Sequence, residues 1–267
     1  MGCGVAQVFA KNGHEVILCG SSLTSAENGR KTILVRLERA AERGKIDIHA
    51  PEAIISRIKA GNYEDCSECG LIFEAVREDL AAKKAVFRKL SCICSHDCIF
   101  ATNTSSLSIT EIGAGIIQQS VGMHFFNPAP FMKLVEVTPG MDTSRKTVEA
   151  VMNLARDVGK IPVEVKESTG FIVNRLLIPM INEAAGLYAE GAASAEDIDR
   201  AMKLGANHPL GPLELGDLIG LDVVLAIMDV LHSDTGDPKY RSHPILRRMV
   251  SAGRLGRKSG RGFYSYT

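Results

Sequence analysis

The chain carries no surplus of charge: 31 acidic residues stand against 31 basic ones in 267. That balance excludes the strongly basic surface by which proteins hold nucleic acid or an anionic membrane. No apolar run reaches the roughly 20 residues needed to span a bilayer, and no charged-then-apolar leader opens the sequence. A cytoplasmic location is the expectation. Internal repeats and low-complexity tracts are absent. Cysteine is present, but not in a metal-binding arrangement. Cys66 and Cys69 form a C-x-x-C, and Cys92, Cys94 and Cys98 follow, without a second close C-x-x-C or a histidine in register. The zinc or redox reading of such a motif therefore gives way to cysteine as a small apolar residue in a reducing compartment. No metal is expected.

What the sequence does have is length for two domains and 45% hydrophobic residues, enough for a sizeable core. Residues 1–166 alternate short apolar runs with helical patterns. Glu15–Cys19, Leu71–Val76, Cys98–Thr102, Val121–Phe125, Lys133–Val137 and Ile161–Lys166 read as strands, several of them rich in β-branched or aromatic residues. Ser25–Glu42 and Leu80–Leu90, rich in Ala, Leu, Glu, Lys and Arg, read as helices. Such alternation predicts a mainly parallel sheet with helices on both faces. After Lys166 the strand pattern stops. Residues 167–267 read as an all-helical domain. One helix spans Phe171–Ala189, capped by Ser168 or Thr169 and kinked at Pro179. A second opens on a Ser194/Asp197 capping box and ends at Gly205. Two more cover Leu218–Leu231 and Pro244–Ala252. Two apolar stripes (Ile172, Leu176, Met180, Ala184 and Leu221, Leu225, Met228) suit domain core or a subunit interface.

The first residues, Met1-Gly2-Cys3-Gly4-Val5-Ala6, open a helix that Gly13 ends, and a strand follows. This is the second half of a dinucleotide fingerprint, in which the pyrophosphate sits on the helix N-terminus. Gly2 and Gly4 are the candidate phosphate-side residues, with close helix packing as the bland alternative. The strand and tight turn that precede such a helix are missing, and this loss is expected to destabilise the domain or weaken cofactor binding. About 20 residues further on, an acidic residue is expected to hold the adenosine ribose. Cys19-Gly20-Ser21-Ser22 stands there instead. The gap leaves NAD and NADP both open, with Arg30 and Lys31 as candidate partners for a 2′-phosphate or as solvated helix residues.

His124 ends one predicted strand, and Glu136 lies on the next, 12 residues later, across a Pro-containing turn. A histidine exchanges protons near neutral pH, and a carboxylate behind it fixes the imidazole tautomer. A His and a Glu on separate strands are more often unrelated. The surrounding motifs change that weighting: Ala101-Thr102-Asn103-Thr104-Ser105-Ser106-Leu107, His124-Phe125-Phe126-Asn127-Pro128, Gly170-Phe171-Ile172-Val173-Asn174-Arg175, Gly211-Pro212-Leu213-Glu214-Leu215-Gly216-Asp217 and Gly260-Arg261-Gly262-Phe263-Tyr264, in this order.

Together these motifs resemble the 3-hydroxyacyl-CoA dehydrogenase family over nearly the whole chain. Leu204–Pro209 and Gly256–Gly260 are most similar to its bacterial 3-hydroxybutyryl-CoA branch. The resemblance implies a Rossmann-like doubly wound α/β sheet, here lacking its first strand, followed by an all-helical C-terminal domain. It implies a short-chain acyl-CoA substrate, a nicotinamide cofactor, and a homodimer or higher homo-oligomer through the helical domain. By the same resemblance His124 is the catalytic base, and Glu136 its carboxylate partner. Ser105 and Asn174 hold the substrate oxygen or the histidine. Glu78, Lys83 and Asn103 lie on the cofactor side. Arg36 and Arg43 fall on the helix that meets CoA, where a solvated helix face is the competing reading. The alternative function is a non-catalytic acyl-CoA-binding or oligomeric remnant with impaired cofactor binding.

Overall fold

In the computed structural model, which describes residues 1–266, the chain divides into two units, Met1–Glu167 and Ser168–Thr267. The first unit runs α1 (Gly2–Lys11), β1 (Val16–Leu18), α2 (Leu23–Glu42), α3 (Ala50–Ile55), β2 (Ile58–Ala60), β3 (Leu71–Glu74), α4 (Leu80–Ser91), β4 (Ile99–Thr102), α5 (Ile109–Gly113), β5 (Ser120–Phe125), β6 (Leu134–Pro139), α6 (Arg145–Asp157) and β7 (Ile161–Glu164). Side-chain caps start four of these helices. Ser22, Asp79, Ser108 and Ser144 each accept a backbone N–H three residues on, which satisfies one of the donors a helix start leaves open.

The six expected strands all form, within two residues of their expected bounds. β2 escapes a reading by periodicity because three residues, Ile58-Lys59-Ala60, carry no pattern. α6, outside the expected helices, buries Val148, Val151 and Ala155 on one face. The strands form two sheets, β1-β2 and β3-β4-β5-β6-β7. All pairings are parallel except β5 with β6. A doubly wound sheet would carry a strand between β1 and β3. Between β1 and β3 lies a cavity of about 960 Å³ lined by both strands. Val16 N–H and Leu18 C=O bond toward β2, so the intervening Ile17 turns its backbone groups to the cavity. On the other side Gly70 and Glu74 carbonyls accept from Ile99 and Asn103, which turns Leu71 and Phe73 the same way.

α1 joins the two halves of this unit. Val5, Val8 and Phe9 pack with Val121, Val135 and Val151, while Ala6 and Ala10 pack with Ile33, Leu37 and Ile58. The alternation of small and larger residues in the sequence is what lets one helix serve two cores.

The second unit is helical: α7 (Val173–Ala189), α8 (Ala195–Gly205), α9 (Pro212–Ile219), α10 (Leu221–Thr235) and α11 (Pro244–Ser251). Several expectations need correction. Neither Ser168 nor Thr169 caps α7; its N-cap is Ile172, and the Thr169 hydroxyl bonds Asp234 instead. The helix expected over Leu218–Leu231 is broken at Gly220, whose φ of 105° only glycine adopts readily. Of the first apolar stripe, Ile172 and Leu176 are exposed, and the buried face of α7 is Ile178, Ile181, Ala184 and Ala185. Of the expected stripe, Ala184 lies on that buried face and Met180 is half-buried. In the second stripe Leu221 and Met228 are buried, as a core assignment requires.

The C-terminal motif is held by two buried aspartates. Asp217 accepts from the Phe263 and Tyr264 amides and the Tyr266 hydroxyl. Asp199 accepts from the Leu213 and Glu214 amides at the start of α9 and from the Tyr264 hydroxyl. A Cβ at Gly262 would lie 1.9 Å from Asp217 Oδ1, so only glycine lets the segment close on the carboxylate.

Candidate active site

The candidate site residues of the first unit gather at the carboxyl ends of β3, β4 and β5, where open α/β sheets bind ligands, and at the start of the antiparallel β6. Asn103 follows β4 directly. Its side-chain oxygen accepts the Phe125 amide at 2.8 Å, which ties the end of β4 to the end of β5. His124 and Glu136 are opposed residues in the antiparallel β5–β6 register. His124 Nδ1 and Glu136 Oε2 stand 2.8 Å apart. Glu136 is 1% exposed and His124 7%, so the pair is shielded from the screening that weakens surface charges. The Phe126 ring packs on the imidazole with centroids 4.5 Å apart. Two strands that meet in the antiparallel sense bring a base and a carboxylate together from positions 12 residues apart.

Glu78 organises the neighbouring loop. Its Oε1 accepts the Thr104 hydroxyl at 2.6 Å, the Ser105 amide at 2.8 Å and the Ser106 amide at 3.2 Å, together with both serine hydroxyls. Its other oxygen lies 3.3 Å from Lys83 Nζ. Burial pushes this carboxyl upward, but the Thr104 hydrogen bond, the Lys83 ammonium and the Ser105 amide outweigh it and hold it below its ordinary range. Lys83 itself is fully buried and lies 3.1 Å from both oxygens of Glu74. Glu74 also accepts from the Thr102 hydroxyl and the Val76 amide. Every charge in this buried group has a partner, the condition under which burying charge is tolerated.

Glu74, Thr102 and Thr104 were missed as site residues. The signal was there for Glu74: an acidic residue in a strand that is otherwise apolar is seldom buried unless paired. Lys83 acts on the loop through Glu78 and Glu74, since its ammonium is enclosed by the two carboxylates.

The α1 N-terminus meets the same strand ends. A Cβ at Gly2 would lie 3.7 Å from Ala75, just past β3, and one at Gly4 would lie 3.3 Å from Ala129, past β5. A ten-residue helix that points its first turn at this rim offers amide donors to an anion. The donor set fits the pyrophosphate of a dinucleotide. At the end of β1, Gly20 is exposed, and a Cβ there would lie 2.9 Å from Ser25 Oγ, so glycine keeps the turn into α2 tight. Arg30 is not available to a phosphate: it donates to the Ile58 and Ile55 carbonyls and pins α2 to the start of β2. Arg36 and Arg43 are exposed, on α2 and at its C-cap. In the second unit Asn174 is the second residue of α7.

Comparison with known proteins covers both units. The profile described as 3-hydroxyacyl-CoA dehydrogenase, NAD binding domain, matches residues 1–168, and that of the C-terminal domain matches residues 170–266. The chain is 52% identical to a 3-hydroxybutyryl-CoA dehydrogenase of Clostridioides difficile, over the whole of this chain and 96% of that one. It is 42% identical to the human mitochondrial hydroxyacyl-coenzyme A dehydrogenase, over all of this chain and 88% of the relative. Among solved structures, (S)-3-hydroxybutyryl-CoA dehydrogenase from Ralstonia eutropha superposes with a TM-score of 0.95 at 43% identity, covering all of this chain and 95% of that one.

Proposed function

The chain belongs to the 3-hydroxyacyl-CoA dehydrogenase family, and on that premise we propose that it interconverts (S)-3-hydroxybutyryl-CoA and acetoacetyl-CoA. The observation that carries the reading is the buried His124–Glu136 pair, set at the strand ends beside Asn103. A nicotinamide cofactor, NAD or NADP, would be held by the first turn of α1 at Gly2 and Gly4 and by the strand ends near Asn103, and would supply the hydride chemistry at C3.

The chain's own residues handle the proton. With Nδ1 facing Glu136, proton exchange with the substrate falls to Nε2 of His124. In oxidation Nε2 takes the proton of the 3-hydroxyl, and Glu136 stabilises the imidazolium that results. In reduction the same nitrogen returns a proton to the developing alkoxide. Positioned general acid–base chemistry of this kind contributes about 10²–10⁴ in rate. Ser105 and Asn174 are proposed to hold the reacting oxygen. Glu78, backed by Lys83, sets the Thr104–Ser106 loop that presents Ser105. Gly2 and Gly4 keep the first turn of α1 open to the cofactor's phosphates, and Arg36 and Arg43 are proposed to meet the CoA moiety.

The two domains are taken as 1–166 and 167–267, the first for the cofactor and the second for substrate and self-association. A homodimer or higher assembly is proposed, supported by exposed Leu176, Leu204, Leu218 and Val223 on the helical unit. Among the described residues no helix is long and apolar enough to cross a membrane, and a cytoplasmic location is proposed. The non-catalytic alternative is not favoured, because base and carboxylate stand in register.

The test is oxidation of NADH and of NADPH by acetoacetyl-CoA, with free acetoacetate as control. Turnover of the CoA ester alone is expected. Folded protein that oxidises neither cofactor with acetoacetyl-CoA would overturn the proposal.

A further inference from the structure

Residues 126–133 form the turn that joins β5 to β6, and the shape of that turn decides which residue of β6 stands opposite His124. The turn does little to hold itself. The Phe131 and Met132 amides both donate to the Pro128 carbonyl, and of the whole turn only Ala129 is buried. What closes it comes from further along the chain. Lys160, 8% exposed, donates from Nζ to the Ala129 carbonyl at 2.6 Å and to the Met132 carbonyl at 2.8 Å. The next residue repeats the attachment through the backbone, where the Ile161 amide donates to the Lys133 carbonyl at 2.8 Å.

Lys160 is itself fixed by the end of α6. Gly159 takes the left-handed conformation, with φ of 74°. The Gly159 and Lys160 amides donate back to the Arg156 and Ala155 carbonyls, the pattern with which a glycine closes a helix. The side chain therefore starts from a rigid point. A buried ammonium is costly unless its donors are satisfied, and a buried lysine is usually paired with a charge. Here the acceptors are two turn carbonyls. Burial, and after it the Lys11 ammonium, hold Lys160 below its ordinary value. An uncharged side chain would fill the same space without that cost, so filling space does not explain a lysine.

We propose that Lys160 is a positioning residue for the proton transfer: its ammonium gathers Ala129 and Met132, and so holds the β5–β6 register in which His124 Nδ1 faces Glu136 Oε2. Lys160 acts through the turn. Its effect on turnover rests on the dehydrogenase reading, while the clamp itself does not. A misplacement of about 1 Å can cost about 100-fold in rate, and a turn that is loosened while its strands stay paired costs part of that.

The clamp is read first in the natural chain by NMR, as couplings across the hydrogen bonds from Lys160 Nζ to the carbonyl carbons of Ala129 and Met132. Both couplings are expected. Lys160→Met is expected to fold, by circular dichroism, and to lower kcat for acetoacetyl-CoA reduction about tenfold. The His124 Nδ1–H resonance should move away from its hydrogen-bonded position in the same variant. Lys160→Ala is expected to regain turnover with propylammonium, which restores the lost carbons and the charge, and not with propanol. Absence of either coupling, natural kcat in folded Lys160→Met, a lowered kcat with the His124 resonance unmoved, or no greater recovery with propylammonium than with propanol would each overturn the proposal. The couplings and the resonance need no turnover, so failure of the dehydrogenase reading, which appears as an inactive natural chain, is read separately.

Discussion

His124 and Glu136 face each other across the β5–β6 ladder, and register alone brings Nδ1 within 2.8 Å of Oε2. Because the pair is cross-strand, replacing either partner by an amide of similar size leaves the ladder intact. His124→Gln and Glu136→Gln are each expected to lower kcat for acetoacetyl-CoA reduction by about 100-fold or more. Circular dichroism should be unchanged. Near-normal turnover in either variant refutes the assignment.

Glu78 sets both the loop and its acid sensitivity. Its carboxyl titrates lower in the folded chain than in the unfolded one, where about 4.3 is the ordinary value. The stability it contributes is therefore fully present above that value and is lost as pH falls through the lower, folded pKa. Urea midpoints measured from pH 7 downward should fall more steeply for the natural chain than for Glu78→Gln. Parallel curves would show that Glu78 does not carry this linkage.

Asp217 holds the C-terminal strap by three hydrogen bonds from a buried position. Asp217→Ala leaves the Phe263 and Tyr264 amides without their acceptor. A loss of about 3 kcal/mol is expected at the scale for hydrogen bonds to a charged group. Chemical denaturation would measure it, and a loss under ~0.5 kcal/mol would mean that the strap is held elsewhere.

Gly20 stands where an acidic residue would hold the adenosine ribose. Gly20→Asp, combined with Ser25→Gly to remove the two contacts nearest the new Cβ, is expected to raise the ratio of kcat/KM for NADH over NADPH about tenfold, worth about 1.4 kcal/mol. The carboxylate would accept the ribose hydroxyls and repel a 2′-phosphate. An unchanged ratio would mean that Gly20 lies away from the ribose.

Much of this fold was legible because its signals are local. The expected strands formed, and Ser194 caps α8 as its spacing from Asp197 predicts. The His124–Glu136 pair was legible only as two residues on adjacent strands; their register is a property of the turn between β5 and β6. Hidden features were those set by packing. The break at Gly220 divides what reads as one apolar helix. Glu74 and Thr104 gain meaning only when Lys83 is buried beside them. The sulfurs of Cys19 and Cys66 meet at 3.7 Å from positions 47 apart, so no spacing rule could pair them, whereas the adjacent C-x-x-C drew attention to Cys69. Arg30 shows the reverse: a basic residue near the expected phosphate that the fold turns onto carbonyl groups.

The division of the first unit into two sheets bears on how it opens. β1 and β2 are bonded to each other and lean on α1, α2 and α3, while β3 to β7 form a continuous ladder behind the cavity. Segments with few shared backbone bonds open as separate cooperative units. Native-state amide exchange should therefore show two tiers. Amides of β4, β5 and β6 would exchange only on global unfolding, and those of β1 and β2 at a lower free energy. Ala10, fully buried on the face of α1 toward the smaller sheet, is where the two tiers are coupled. A bulkier residue there should loosen the β1–β2 tier while the five-stranded ladder keeps its protection.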